Sequence, residues 1–178
     1  MRKILIVVDM QNDFVTGSLG SKEAQAILEP IKKKIMQYEK DGNEIIFTRD
    51  THDAKYMDTN EGKHLPVPHC ICDTEGWQIC KTLTEGMEKP ITCIDKPTFG
   101  YMDWKQTIQS DTEDGNGLRI ELIGVCTDIC VVSNALILKA MYPEADVLVD
   151  ANCCAGVTKK THEAALLTME SCQIQVLR

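Results

Sequence analysis

A chain of 178 residues with 43% hydrophobic and 26% charged side chains is long enough for one domain with a full core, and is neither disordered nor membrane-like in composition. The formal charge of -8, with the basic residues scattered, excludes the basic surface that nucleic acid or an anionic membrane requires of a partner. Nine cysteines, an odd number without framework spacing and without a secretory signal, are expected as reduced thiols in a cytoplasmic protein.

Residues 1–3 followed by ILIVV look like the start of a signal peptide, but the apolar run is short and ends at Asp9 instead of a small-residue cleavage site. Residues 3–8 read instead as a first strand, β-branched enough for a parallel sheet covered on both faces. Asp9 follows at its carboxyl end, the edge at which open α/β sheets bind ligands, where it serves either chemistry or a turn cap. Ala24, Ile27, Leu28, Ile31 and Ile35 recur at helical spacing up to the turn at Asp41 and Gly42, and Pro30 predicts a regular helix that starts near it. Residues 44–49 form a second strand, again followed by a polar cluster, Asp50, Thr51 and His52.

Residues 50–76 show little periodicity and hold His64, Pro66, Pro68, His69, Cys70 and Cys72; loops of that length inside a compact domain usually carry function. Residues 76–87 are expected as a helix, 91–95 as a third strand ending at Lys96, and 102–110 as a short helix, with Trp77 and Trp104 as their anchors. The apolar run 119–123 is a buried strand. It leads into GVCTDIC, residues 124–130, and then into Val131, Val132, Ala135, Leu136 and Leu138 at helical spacing. Asp128 is expected to cap this helix, with Cys130 in its first turn, where the dipole and free N–H groups favour a thiolate. The alternative is that Cys130 is one more buried small hydrophobe. Residues 145–149 and 174–177 complete the strands around a helix at 159–171, Cys153 and Cys154 pack at the sheet edge, and His162 is expected at the surface. The alternation of strand and helix predicts a three-layer α/β/α sandwich with a mostly parallel sheet of roughly six strands, in a single domain over residues 1–178.

Asp9, Lys96 and Cys130 each follow a different strand at its carboxyl end, so a parallel sheet would bring them to one edge. A thiol with a carboxylate to take its proton and an ammonium to stabilise negative charge can carry out acyl transfer. Asp50 and His52, two apart in an extended segment, face the same side and could grip one ion, with His69 completing a facial triad for Zn²⁺, Fe²⁺ or Mn²⁺. They could equally be loop hydrogen-bonders. His64 is an exposed loop residue or an alternate ligand, and a competing zinc reading through Cys70, Cys72 and Cys80 lacks paired CxxC spacing.

The blocks VVDMQNDF (7–14), TRDTH (48–52), PHC (68–70), IDKPTFGY (94–101) and GVCTDICV (124–131) make the chain resemble the isochorismatase-like cysteine hydrolases, and among them the nicotinamidase/pyrazinamidase branch. The resemblance implies a catalytic triad of Asp9, Lys96 and Cys130 and one divalent metal, zinc before iron or manganese, on Asp50, His52 and His69. It also implies a cis peptide between Val125 and Cys126, with the backbone N–H groups of Cys126 and Cys130 as oxyanion hole. The implied reaction is hydrolysis of a small carboxamide, nicotinamide first, by a cytoplasmic homo-oligomer. Alternatives are another amide or a ureido or carbamoyl compound on the same triad, or a non-catalytic metal-binding or redox-sensing protein on this fold. The chain departs from the branch in carrying Pro66 at the usual pocket tryptophan, which leaves Phe14 and Tyr101 to stack on a ring. It also carries Cys126 at a usual alanine, a thiol open to oxidation.

Overall fold

The computed structural model describes residues 1–178. The chain opens with strand β1 (Arg2–Val8), followed by helices α1 (Asn12–Val15), α2 (Lys22–Ala26) and α3 (Leu28–Lys40) and strand β2 (Glu44–Asp50). A 3-10 turn (Tyr56–Asp58), α4 (Asn60–His64) and α5 (Lys81–Thr84) lead to β3 (Thr92–Lys96), α6 (Trp104–Thr107) and β4 (Leu118–Val125). A π-helical turn (Thr127–Val131) then runs directly into α7 (Val132–Met141), β5 (Asp146–Ala155), α8 (Lys159–Ser171) and β6 (Gln175–Leu177).

The six strands form one sheet of order β3-β2-β1-β4-β5-β6, every pair parallel. The strand order reverses at β1, so the carboxyl ends of β1 and β4 flank a topological switch point, where such sheets bind their ligands. Alternate residues of the buried strands feed two cores. Leu5, Val7 and Phe47 pack with Ile31 and Ile35 of α3 on one face. Ile4, Ile6, Val8, Ile120 and Leu122 pack with Leu138 of α7 and Leu166 and Met169 of α8 on the other. This is the expected three-layer α/β/α sandwich, with the sheet parallel throughout. Glu121 of β4 is buried because Lys34 of α3 and the hydroxyl of Tyr38 both reach it. No helix is long and apolar enough to cross a membrane.

Several elements differ from the expectations. Of residues 76–87 only Lys81–Thr84 is helical, because Ile79 bridges Gln11 and the Cys80 N–H donates to the Met10 carbonyl, which draws the preceding residues onto the end of β1. The helix expected over 102–110 is limited to Trp104–Thr107, and the Ile108 carbonyl accepts the Tyr142 hydroxyl at 2.6 Å. A separate α2 precedes α3, capped by Ser21, while Pro30 lies in the first turn of α3. Strand β5 runs on to Ala155, so Cys153 and Cys154 lie inside it on opposite faces. Asp128 does not cap the helix; its carboxylate accepts the N–H of Val157.

Candidate active site

Four strand ends build the site. Asp9 leaves β1 with φ 48°, in the left-handed region that aspartate tolerates better than most residues. Its neighbour across the switch point is Gly124 at φ 117°, where a Cβ would stand 2.1 Å from the Val8 carbonyl oxygen, so β1 and β4 can approach here only with glycine. Lys96 ends β3 and Asp50 ends β2. Cys130 lies in the π-helical turn after β4, and the peptide between Val125 and Cys126 is cis.

Fully buried Lys96 joins these ends: its Nζ stands 2.6 Å from Asp9 Oδ2 and 3.5 Å from Asp50 Oδ1, and donates to Cys130 Sγ at 3.6 Å. The other oxygen of Asp9 accepts the Thr48 hydroxyl at 2.7 Å, so both carboxylate oxygens are held. Burial pushes the Asp9 carboxyl up, and the Lys96 ammonium pulls it only part of the way back. Burial alone would lower Lys96, but the charges of Asp9 and Asp50 outweigh it and keep the amine protonated. Burial raises the Cys130 thiol well above its ordinary value and the neighbouring Asp9 raises it further, against Lys96. Desolvation next to carboxylates thus works against the thiolate that a helix start favours, and on the side of a thiol.

Next to this group Asp50, His52, His69 and Glu61 present ligand atoms within 4.8 Å of one another. His52 Nε2 lies 3.1 Å from Asp50 Oδ2 and 3.6 Å from Glu61 Oε1, and His69 Nε2 lies 3.5 and 3.8 Å from the same two atoms. Four ligands held at about 2.0–2.1 Å around a tetrahedral ion stand roughly 3.4 Å apart, so the cluster has the size of a metal site. His69 Nδ1 faces the Val67 carbonyl at 2.9 Å; that oxygen can only accept, so Nδ1 carries the proton and Nε2 offers its lone pair. Buried Asp50 Oδ1 has no hydrogen-bond partner. Burial would raise the Asp50 carboxyl, but the adjoining His52 ring at 3.1 Å and the Lys96 charge hold it well below the usual carboxylate range, ionised as a ligand must be. The residues present fit a divalent ion.

Glu61, in α4, was not expected. It stands eleven positions beyond Asp50 in a short helix, with no spacing rule to single it out. Thr48 does carry a signal, two residues before Asp50 on the same face of β2. Gln11 carries none: its fully buried amide clamps the end of β2 by donating to the Asp50 and Trp77 carbonyls and accepting the Asp50 N–H. Buried Asn134 on α7 donates to the carbonyls of Cys130 and Phe99 and accepts from the Tyr101 N–H and the Trp104 indole, tying the turn that carries Cys130 to the segment after β3. His64 is exposed and bonded to the backbone of its own helix, outside the ligand cluster, and Cys70, Cys72 and Cys80 form no cluster.

A cavity of about 240 Å³ opens between Cys130 and the ligand cluster. Phe14, Leu19, Leu65, Phe99, Ile129 and Val157 form most of its wall, with Cys126 beside Cys130 and with Asp50, Glu61 and His69 at the polar end. Phe14 lines it as expected, its ring edge-on to His69 at 5.5 Å. Tyr101 does not. Its ring is turned against Trp104 at 5.2 Å, packed on the α7 core because Asn134 holds its backbone, and Phe99 two residues earlier takes the cavity position. Pro66 is exposed and its neighbour Leu65 faces the cavity.

The model of the isochorismatase domain matches residues 3–178. The chain is 31% identical over 146 residues to the uncharacterized isochorismatase family protein PncA of Bacillus subtilis, which covers 76% of this chain and 78% of that one. It is 25% identical to the nicotinamidase/pyrazinamidase of Mycobacterium tuberculosis over 98% of both chains. Among solved structures, the pyrazinamidase of Pyrococcus horikoshii in complex with zinc superposes with a TM-score of 0.81 at 26% identity, covering 100% of this chain and 99% of that one. With strand order and family model agreeing along its length, the chain belongs to the isochorismatase domain family.

Proposed function

We propose that the protein is a cysteine-dependent amidohydrolase that converts nicotinamide and water to nicotinate and ammonia. The observation that supports this most is Lys96, whose ammonium contacts Asp9, Cys130 and the ligand cluster at the end of one small cavity. In this reading Asp9 takes the thiol proton as Cys130 Sγ attacks the amide carbon, and Lys96 stabilises the charges that form. The backbone N–H groups of Cys126 and Cys130 hold the oxyanion. Asp9 gives its proton to the departing ammonia, then deprotonates the water that hydrolyses the thioester. Bound to Asp50, His52, Glu61 and His69, a zinc ion would anchor a ring nitrogen and so orient the substrate. Orientation of that kind supplies several kcal/mol of a barrier.

The cavity favours a neutral single-ring amide. It is smaller than the roughly 300–1,000 Å³ of sites for drug-sized ligands, and its lining has no lysine or arginine to pair with the carboxylate of a carbamoyl acid. Ammonia release from nicotinamide, pyrazinamide and N-carbamoyl amino acids tests this: the two ring amides are expected to exceed the carbamoyl acids by about 10²-fold in kcat/KM. Turnover of a carbamoyl acid with none of nicotinamide would overturn the substrate assignment.

The raised Asp9 carboxyl sets the acid limb of the pH profile. Asp9 acts as base only when ionised, so kcat/KM falls as pH drops through a pKa above the ordinary aspartate value, and a profile flat down to that value would remove Asp9 from the role. Zinc stripped by a chelator should take turnover with it and restore it on return. Glu61→Ala should weaken zinc binding by at least the roughly 10–100-fold that loss of an outer-shell partner costs, read by competition with a zinc indicator. Unaltered affinity would leave the ion to Asp50, His52 and His69.

A further inference from the structure

The turn that carries Cys130 is tied by two side chains to the segment where β5 passes into α8. Asp128 accepts the Val157 N–H through both oxygens, at 3.1 and 3.2 Å. Thr127 Oγ1 shares a 2.8 Å hydrogen bond with Nδ1 of His162, a half-buried residue in the second turn of α8. Thr127 is fully buried, and a buried hydroxyl is unfavourable without a partner. The approach is close because residue 156 is glycine: a Cβ there would stand 2.9 Å from His162 Cβ and 3.1 Å from Asp128 Oδ1. Gly156 and Val157 themselves line the cavity, whereas His162 does not. His162 is therefore not the surface residue expected from the sequence.

We propose that His162 is a positioning residue for the reaction, holding the Thr127 hydroxyl so that the turn from Cys126 to Cys130 stays in register with the cavity. The proposal rests on the amidohydrolase reading above. Thr127 directly follows Cys126 and shares one π-helical turn with Cys130, so a shift of residue 127 moves both backbone donors and the thiol together. Donors of this kind act only where charge develops in the transition state. Loss of the tie therefore falls on kcat and spares substrate binding, which uses the far end of the cavity.

The test compares nicotinamide turnover by the zinc-loaded full chain with that of His162→Ala, His162→Asn, Thr127→Val and the double variant His162→Ala/Thr127→Val, each checked for its fold by circular dichroism. His162→Ala and Thr127→Val are each expected to lower kcat about tenfold with KM within about twofold of the parent. The double variant should be no slower than either single one, and His162→Asn, whose amide can reach the Nδ1 position, should recover most of the loss. An unchanged kcat in His162→Ala, losses that multiply in the double variant, or an Asn variant as slow as the Ala variant would each overturn the proposal. If His162→Ala does not fold, Thr127→Val and His162→Asn decide instead: a slow Thr127→Val beside a near-normal His162→Asn supports the tie, and equal rates overturn it. Should the parent protein release no ammonia from any amide, the amidohydrolase reading fails by itself. The alkylation rate of Cys130 by iodoacetamide across the variants then decides on His162, a rate shared by all of them overturning the proposal.

Discussion

Cys130→Ala is expected to abolish amide turnover, by about 10⁴-fold or more, while leaving the fold and the metal content intact. The thiol is buried at the end of the cavity, where Lys96 donates to it. No other cysteine lies in that position: Cys126 shares the wall, but Lys96 donates to Cys130 and not to it. Removing one sulfur from a buried site leaves a small void worth about 1 kcal/mol, too little to unfold a domain of ordinary stability. The separation of effects is the diagnostic part. A protein that only binds metal on this fold would keep its function without Cys130, because the ligand cluster contains no sulfur. Ammonia release measured beside zinc content decides: residual turnover within tenfold of the parent would remove Cys130 from the nucleophile's role.

Asp9→Asn is the second large effect, and it acts on chemistry and stability together. In the proposed mechanism a base at Asp9 would supply about 10²–10⁴-fold, and an amide there cannot take a proton from the Cys130 thiol, which burial raises. The same change leaves the Lys96 ammonium buried with its 2.6 Å partner gone. Breaking a buried pair costs about 3–5 kcal/mol where nothing else compensates. Here Asp50 at 3.5 Å and the Thr98 carbonyl at 3.2 Å remain, so the loss should lie at or below the lower end, near 3 kcal/mol by urea titration. Asp50 would then be the one carboxylate left to Lys96, which would compete with the ion for it. Zinc affinity should fall in Asp9→Asn although Asp9 is not a ligand, and an unchanged affinity would mean that the two halves of the site are uncoupled.

How much of this is legible in the chain follows from the range of the forces involved. Alternating β-branched runs and 3.6-residue periodicity are local patterns, and they mark all six strands and the long helices α3, α7 and α8. Where a distant segment competes, the local pattern loses. Residues 76–80 pair with residues 10–13 after β1 instead of joining a helix, and β5 continues through residues 150–155 because β4 offers a partner across a register shift. The ring expected to stack, Tyr101, is turned into the core by Asn134, thirty-three residues away.

Strand-helix alternation is written locally in the chain, and with it the rule that Asp9, Asp50, Lys96 and the GVCTDIC turn emerge at the same sheet edge, since parallel strands share a direction. Which atoms meet at that edge depends on packing between distant segments. Packing sets β1 between β2 and β4, brings Glu61 from α4 to the histidines, and gives Thr127 a partner in α8. The state of Cys130 belongs to the same class. A thiol's protonation depends on desolvation and on charges a few ångströms away, and those come from β1, β2 and β3, which no stretch of seven residues contains.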